Sequence, residues 1–403
     1  MRSLPVLLVC LISSSSALAA DPPPRRVVGY FTEWSIYQRK FNVADIPADK
    51  LTHINYAFAK VNEGECALYD SFAAIDKAYP GDKWDNGVLR GNFNQLLVLK
   101  KKYPHLRTLI SVGGWTLSSP FSDLAATEDG RKKFAHSCVA FMIKYGFDGV
   151  DIDWEYPVSG GEQGNKTRPE DKQNFTLLLT ALRQEVDAQG KKDKRGYLLT
   201  IAAPAGPKTI ANLELDKIHK QLDWINLMAY DFHGGWDAIT GLNAPLYASS
   251  TDPSEDEVIR KKFNVDSAVQ IYLAAGVPAE KLVVGVPFYG RGWAGVKDKN
   301  NGLYQKKDSL PPGSFEAGVF DYKDLAANYV GKYKRYWHDE AKVPWLYDEK
   351  RGVMISYDDA ESLKLKAEYV KKQKLGGMMC WELSGDDGKA TLLSSLCEVL
   401  KEK

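Results

Sequence analysis

Four carboxylates occupy eight positions of the stretch FDGVDIDWEYP (residues 147–157), at Asp148, Asp151, Asp153 and Glu155. Carboxylates this close in a pocket of low dielectric cannot all ionise at neutral pH, because their repulsion raises the pKa of at least one. A carboxylic acid that stays protonated can donate a proton to the leaving oxygen of a glycosidic bond. The stretch therefore predicts acid catalysis, with a magnesium or calcium site as the alternative.

Apolar side chains alternate with the acids between residues 149 and 155, which predicts a buried strand. Because successive side chains point to opposite faces of a strand, Asp151, Asp153 and Glu155 share one face, each about 6.6 Å from the next along the backbone. Asp148 has the opposite parity. We expect it to act structurally or to reach its neighbours from the edge of the strand.

Eight short apolar runs, most of them rich in β-branched residues, are separated by segments long enough for helical crossovers. Runs that are apolar on both faces are typical of a parallel sheet covered by helices. No GxGxxG follows the first run, which disfavours an open doubly wound sheet. The fold prediction is therefore α/β, a closed (β/α)8 TIM barrel, with the acids at the carboxyl end of its fourth strand. The runs begin at Val27, Leu51, Arg107, Phe147, Tyr197, Asp223, Lys281 and Gly376.

The spacing of the runs is interrupted once, between the seventh and the eighth. Residues 291–356 are rich in Gly, Lys, Tyr and Trp and show short alternating patterns. We expect a small α+β insertion domain there, between strand 7 and helix 7, with residues 20–290 and 357–403 forming the catalytic barrel.

Residues 1–19 combine a basic residue, an apolar run and a small-residue tail, which predicts a signal peptide cleaved after Ala19. The apolar run, residues 4–12, is shorter than the roughly 20 residues of a membrane-spanning helix. We therefore expect a secreted protein, extracellular or, in a host with that compartment, periplasmic, with no membrane association after cleavage.

Removal of the signal peptide leaves an even number of cysteines, Cys66, Cys138, Cys380 and Cys397. A secreted protein can form disulfides, and four cysteines allow three pairings, among which the sequence does not choose. Buried free thiols are the alternative, above all for Cys138 and Cys380, whose sequence surroundings are apolar.

Composition and charge limit the partners. The chain has 403 residues, 44% hydrophobic, and a formal net charge of +1, so no strong field attracts nucleic acid or an anionic membrane. The six histidines are scattered and no HExxH occurs, so neither a metal nor another cofactor is expected. We expect a monomer that binds a neutral substrate.

The segment DGVDIDWE resembles the DxxDxDxE signature of the family 18 glycoside hydrolases, the chitinases. Further segments resemble strand-end motifs of this family in barrel order, closest to the chitinase A type. The resemblance implies hydrolysis of the β-1,4 bonds of chitin or chitooligosaccharides, with retention through an oxazolinium intermediate formed by the substrate's own N-acetyl group. The segments are SVGGW (111–115), MAYD (228–231), YGRGW (289–293) and WEL (381–383).

The same resemblance implies roles for five side chains. Glu155 would be the general acid and base, and Asp153 would hold the acetamido N–H and stabilise the positive charge that develops there. Asp151 would share a proton with Asp153. Tyr230 would hydrogen-bond the acetamido oxygen, and Asp231 would bind the distorted sugar at subsite −1.

Aromatic rings bind the apolar faces of pyranoses, with hydrogen bonds around them. By resemblance, Trp381 would be the floor of subsite −1, Trp115 a platform at +1, Trp236 an aromatic at +2 and Trp34 part of a more distant glycone subsite. Glu316 is a candidate contact at subsite −2. Core packing is the expectation for Trp224, Trp293 and Trp345. The lining of subsite −1 and its neighbours would include Tyr30, Met228, Tyr289 and Arg291.

Two other functions fit the same barrel, a non-catalytic lectin and an endo-acting N-acetylglucosaminidase that trims glycoproteins. Lectins of the family typically lose the signature glutamate or its acidic partners, whereas Glu155, Asp153, Asp151 and Tyr230 are all present. The glycoprotein enzyme usually has a more open groove, whereas the insertion predicts a wall that deepens the cleft. Both features favour the chitinase.

Overall fold

The structure, a computed structural model, describes residues 25–401 except Trp84 and Asn86, so the predicted signal peptide (residues 1–19) lies outside it. The strands of this part of the chain are β1 (Arg26–Thr32), β2 (His53–Asn62), β3 (Glu65–Leu68), β4 (Arg107–Gly113), β5 (Gly149–Asp153), β6 (Leu198–Pro204), β7 (Trp224–Met228), β8 (Leu282–Pro287), β9 (Tyr289–Ala294), β10 (Val319–Asp321), β11 (Lys334–His338), β12 (Val343–Asp348), β13 (Val353–Ser356) and β14 (Gly377–Trp381).

Helices connect most of these strands, and the longest have polar outer faces and buried inner faces. In the described residues, no helix is both long enough and apolar enough to cross a membrane. The helices are α1 (Gly91–Lys102), α2 (Phe121–Ala125), α3 (Glu128–Tyr145), α4 (Asp171–Asp193), α5 (Pro207–Ile210), α6 (Leu215–Ile218), α7 (Glu257–Lys262), α8 (Val265–Ala274), α9 (Tyr322–Asp324), α10 (Ala360–Lys372) and α11 (Thr391–Lys401).

Eight parallel strands form a closed barrel in the order β1, β2, β4, β5, β6, β7, β8 and β14. The barrel closes because β1 pairs with β2 on one side and with β14 on the other. Each of the eight strands falls on one of the predicted apolar runs, so the (β/α)8 prediction is confirmed. The additional strand β3 pairs antiparallel with the end of β2 as a hairpin.

A second sheet of five antiparallel strands has the order β10, β9, β13, β12 and β11. It begins at Tyr289, because β9 starts only two residues after β8 ends, so the sheet includes two residues ahead of the predicted boundary at 291. Trp293 and Trp345 lie in its buried cluster, as expected of core tryptophans. The division of the chain into two domains stays a prediction.

The barrel interior contains both an apolar cluster and buried polar side chains. Val28, Leu109, Trp224, Val283 and Met379 belong to one buried cluster, contributed by strands β1, β4, β7, β8 and β14. Beside this cluster lie buried polar residues, above all Asp151, Thr200 and Asn226, and Asn226 accepts a hydrogen bond from the Trp224 indole at 2.9 Å. Buried polar groups are stable only when they are hydrogen-bonded. The hydrogen bonds from Thr200 and Asn226 to Asp151 therefore fix the positions of these three side chains.

Candidate active site

The three acids that parity places on one face do lie at the carboxyl end of β5. Asp151 and Asp153 are buried on the strand, and Glu155 follows two residues beyond its end, partly exposed. In a parallel barrel the carboxyl ends of the strands carry the chemistry. The geometry therefore gives the sequence-predicted acids a common direction, from the barrel interior towards its mouth.

Asp148 lies at the opposite end of β5 and serves the structure. Its carboxylate pairs with Lys100 at 2.8 Å and with Arg195 at 2.6 Å, and it accepts a hydrogen bond from the main-chain N–H of Thr108 at 2.9 Å. Burial alone would raise the pKa of Asp148. The cationic and hydrogen-bonding partners lower it by more than burial raises it, so the pKa lies below the ordinary value. Asp148 is therefore a fixed anion at the bottom of the barrel.

Asp151 is held by donors from four different strands. Its carboxylate accepts hydrogen bonds from the hydroxyls of Tyr30 (2.8 Å), Ser111 (2.7 Å) and Thr200 (2.5 Å) and from the side-chain amide of Asn226 (3.3 Å). Burial raises the pKa of Asp151, whereas these hydrogen bonds lower it. The four donors fix the carboxyl group beneath its neighbour Asp153.

Asp153 has a different environment. Its Oδ1 atom is buried and has no hydrogen-bond partner within the described part of the chain, while its main-chain oxygen accepts from the N–H of Gly114 at 2.8 Å and from the Ser118 hydroxyl at 3.2 Å. Burial, followed by the charges of Glu155 and Asp151, raises its pKa well above the ordinary value. An unpaired buried oxygen of this kind is ready to accept a hydrogen bond from a ligand.

Glu155 is positioned through its main chain. Its N–H donates to the Ser118 hydroxyl at 2.8 Å, and its carbonyl accepts from the Asn165 amide at 3.2 Å. Burial raises the pKa of the Glu155 carboxyl to about 7; the charge of Asp231 also raises it, whereas a hydrogen bond with Tyr156 lowers it. A carboxyl group with this pKa can both donate and accept a proton near neutral pH. Sequence reasoning did not identify Tyr156.

Asp231, Tyr289 and Arg291 form a clamp at the barrel mouth. Asp231 Oδ1 accepts from the Tyr289 hydroxyl and from Arg291 Nε, each at 2.8 Å, and Oδ2 lies 2.8 Å from a terminal guanidinium nitrogen of Arg291. Asp231 follows β7, whereas Tyr289 and Arg291 belong to β9. The bidentate pair therefore joins the second sheet to the barrel beside the acids.

Tyr230 lies between the clamp and the acids. Its ring meets the Tyr289 ring edge-on, with the ring centres 6.3 Å apart, and its hydroxyl lies 4.0 Å from Met379 Sδ. Burial, and then the nearby Tyr289 and Asp153, raise the pKa of Tyr230 well above the ordinary value. The hydroxyl therefore stays protonated and can donate a hydrogen bond.

Trp381 belongs to a continuous group of rings at the mouth. It stacks on Phe58 with the ring centres 5.7 Å apart and a 22° angle between the planes, and it lies 5.4 Å from Tyr30. Phe58 in turn lies 6.1 Å from the exposed Trp34. Phe58 was not predicted as a site residue, because nothing in its sequence context distinguishes it from a core phenylalanine.

The other predicted binding residues lie around the same mouth. Trp236 is 62% exposed, and the Arg291 guanidinium lies over its ring, 5.1 Å from the centre. Trp115 is exposed in the turn that follows β4, and Met228 ends β7. Glu316 is exposed just before β10, where it forms an isolated bridge with Val319, and its charge contributes to raising the pKa of Arg291.

A buried polar network behind Trp381 also escaped sequence reasoning. The carboxylate of the next residue, Glu382, accepts hydrogen bonds from the Thr32 hydroxyl at 3.2 Å and from the Ser384 hydroxyl at 2.6 Å. Arg39 lies 3.6 Å from Glu382 and also pairs with Asp321 on β10. Because Thr32, Arg39 and Asp321 are far from Glu382 in the chain, no local motif predicts their contacts.

The arrangement is suited to acid and base chemistry carried out by side chains. Among the residues that the structure describes, no group of three or more His, Cys, Asp or Glu side chains could hold a metal ion. What the mouth does bring together is a carboxyl group with a pKa near 7, an unpaired buried carboxyl oxygen, a hydroxyl donor and a flat indole. Together they can protonate an ether oxygen, hold an amide and support a sugar ring.

Comparison with known proteins gives consistent matches. Residues 26–386 match the sequence profile of "Glycosyl hydrolases family 18". Chitinase A1 of Niallia circulans is 48% identical over 94% of this chain and 58% of its own length, so the chain spans little more than half of that relative. Endochitinase 1 of Metarhizium robertsii is 41% identical over 89% of this chain and 80% of its own length.

Among solved structures, chitinase ChiA74 from Bacillus thuringiensis superposes with a TM-score of 0.89 at 45% sequence identity, covering 94% of this chain and 70% of that chain. Likeness at this identity extends over both the barrel and the second sheet.

Proposed function

The chain belongs to family 18 of the glycosyl hydrolases, and we propose that it is a chitinase that hydrolyses the β-1,4 bonds between N-acetylglucosamine units of chitin or chitooligosaccharides. The observation that carries the proposal is the series of acids on β5. Asp151 is fixed by four donors, the Asp153 Oδ1 atom has no partner in the described residues, and the pKa of Glu155 is about 7. Relatives named as chitinases support the choice of substrate.

In the proposed mechanism Glu155 protonates the scissile oxygen, and the acetamido oxygen of the sugar at subsite −1 attacks its anomeric carbon. The bond to the leaving sugar breaks, and an oxazolinium ion forms on the substrate. Glu155, now ionised, removes a proton from the water that opens this ion, so the anomeric configuration is retained. A carboxyl group with a pKa near 7 suits both steps.

Asp153 and Tyr230 hold the acetamido group in this proposal. The unpaired Oδ1 of Asp153 accepts the acetamido N–H and stabilises the positive charge that forms, while Asp151 shares a proton with Asp153. The protonated hydroxyl of Tyr230 donates to the acetamido oxygen and directs it to the anomeric carbon. Asp231, fixed by its clamp, binds the distorted sugar.

The rings and polar groups around the mouth bind the sugar chain. Trp381 is the floor of subsite −1, Trp115 and Trp236 are platforms for the leaving sugars, and Trp34 lies under a distant glycone sugar. The exposure of Trp34, Trp115 and Trp236 supports these roles. The lining residues are Tyr30, Met228, Tyr289 and Arg291, with Glu316 at subsite −2. We further propose that the protein is secreted and acts as a monomer.

Substitution of the acid tests the proposal. Glu155→Gln keeps the shape of the side chain but removes its acidic proton. We therefore expect kcat for a short N-acetylglucosamine oligomer to fall by about 10²- to 10⁴-fold. Glu349→Gln, an exposed position in the turn after β12, is the matched control and should leave kcat unchanged. An inactive wild type that binds the oligomer would point to a lectin, and an active Glu155→Gln would exclude Glu155 as the acid.

A further inference from the structure

The hairpin formed by β2 and β3 is fixed against helix α3 by polar contacts. The main-chain N–H of Cys66 donates to the Ser137 hydroxyl at 2.9 Å. Lys133 Nζ donates to the Glu63 carbonyl at 2.8 Å and pairs with Glu65 at 3.4 Å. Glu63, Glu65 and Cys66 of the hairpin therefore contact one turn of α3, between Lys133 and Ser137. These contacts hold β3 against α3.

The same contact brings two thiols together. Cys66 is partly exposed on β3 and Cys138 is fully buried on α3, both as free thiols. The Ser137 hydroxyl that binds the Cys66 main chain belongs to the residue next to Cys138, and the Cys66 thiol is close enough to contribute to raising the pKa of the Cys138 thiol. The other two cysteines are Cys380 on β14 and Cys397 on α11. The Cys397 thiol donates to the Lys50 carbonyl at 3.5 Å. Of the three pairings that the sequence allows, the structure therefore supports the one that joins Cys66 to Cys138.

We propose that Cys66 and Cys138 form a disulfide in the mature protein, which clamps the β2–β3 hairpin to α3. The oxidant is a second disulfide, either a low-molecular-weight one such as glutathione disulfide or that of a thiol–disulfide exchange protein. The clamp lies behind β2, the strand that carries Phe58 to the stack on Trp381. It adds a covalent modification to a fold whose proposed activity does not require it.

The exchange proceeds in two steps. Because Cys66 is partly exposed and Cys138 is buried, Cys66 reacts first. Cys66, which solvent reaches, attacks glutathione disulfide as its thiolate, forms a mixed disulfide and releases one glutathione thiolate. Cys138 loses its proton to solvent and attacks the Cys66 sulfur of the mixed disulfide, which releases the second glutathione. Two protein thiols are oxidised and one glutathione disulfide is reduced to two thiols. Burial raises the pKa of the Cys138 thiol, so the second step accelerates in mildly alkaline buffer.

The test oxidises the purified mature protein with glutathione disulfide at mildly alkaline pH, blocks the remaining thiols and maps the peptides. We expect a linked peptide containing Cys66 and Cys138, an intact mass lower by two hydrogen atoms and two remaining free thiols. Because the bond closes a loop of about 70 residues, reduction with dithiothreitol should lower Tm by roughly 5 °C.

Two variants separate the clamp from other effects. Cys66→Ala, at the partly exposed position, should abolish the linked peptide and the effect of dithiothreitol on Tm. Cys397→Ala should leave both unchanged. Four free thiols after oxidation, a stable mixed disulfide on Cys66, or a link between Cys380 and Cys397 alone would each overturn the proposal, whatever the result of the activity assays.

Discussion

Neighbouring acids on one strand face have different surroundings, although burial raises the pKa of all three. Asp151 accepts four hydrogen bonds, the Oδ1 atom of Asp153 has no partner within the described residues, and Glu155 interacts with Tyr156 and Asp231. Strand parity was enough to predict from the sequence that the three acids share a face. The donors to Asp151 come from four other strands, so only the closed barrel shows them.

The pH dependence of activity should respond in opposite directions to two substitutions around Glu155. In the proposed mechanism Glu155 works as an acid while protonated, so kcat/KM should fall as pH rises through its pKa, which is about 7. Tyr156→Phe removes a hydrogen bond that lowers this pKa, so the alkaline limb should move to higher pH. Asp231→Asn removes a charge that raises it, so the limb should move to lower pH.

The measurement is a pH profile of kcat/KM for both variants with an N-acetylglucosamine oligomer. Both substitutions are expected to lower the maximal kcat/KM. The quantity to compare is therefore the pH at which kcat/KM falls on the alkaline side, and not the maximal value. Unmoved limbs, or two shifts in the same direction, would show that another group controls the alkaline side.

At the scale of elements, the barrel strands were predictable because they are apolar on both faces, a pattern typical of parallel sheets under helices. The start of the second sheet was not predictable from the sequence, because only Phe288 lies between the end of β8 and the start of β9 and no turn residue marks the boundary. The peptide bonds after Ala57, Glu155 and Trp381 are cis. Sequence gives no rule for such bonds, because cis peptides are expected before proline.

Arg39 joins the loop after β1 to two other elements, the second sheet through Asp321 and the segment after β14 through Glu382. The three side chains are at most 18% exposed, so Arg39→Met leaves two carboxylates desolvated without their shared cation. We expect the free energy of unfolding to fall by about 3 kcal/mol, measured by urea denaturation. KM should rise as well, because Glu382 adjoins Trp381.

The matched control is Arg351→Met. Arg351 pairs with Asp348 at 3.9 Å, but its side chain is 69% exposed, and exposed pairs contribute less than about 1 kcal/mol. Equal losses for the two variants would mean that Arg39 stabilises the protein no more than a surface residue does.

For the whole molecule, a net charge of +1 on 403 residues is consistent with a neutral polymer as the substrate, because affinity must then come from rings and hydrogen bonds. The mouth of the barrel supplies both, from two sheets. The membership of the chain in its family was predictable from five motifs in barrel order. The distances between these motifs in the folded protein were not predictable from the sequence, because they depend on the closure of the barrel by pairing of β1 with β14.

The mature protein should begin at Ala20. Cleavage after Ala19 follows from the small residues at the end of the predicted signal peptide, and N-terminal sequencing of protein recovered from the culture medium or the periplasm checks it. Ala19→Pro should block this cleavage, whereas Ser14→Ala, within the signal peptide, should not. Protein that retains Met1 and stays in the cytoplasm would contradict the proposal of secretion.

In the proposed mechanism the substrate's own acetamido group, and no enzyme carboxylate, attacks the anomeric carbon, while Glu155 donates and then accepts the proton. The most direct test resolves the anomers released from an N-acetylglucosamine oligomer in the first moments of hydrolysis by the wild type. We expect β-anomer at the newly formed end, and we expect mass spectrometry to detect no sugar covalently attached to the protein. Initial α-anomer, or a sugar trapped on Asp153 or Glu155, would contradict it.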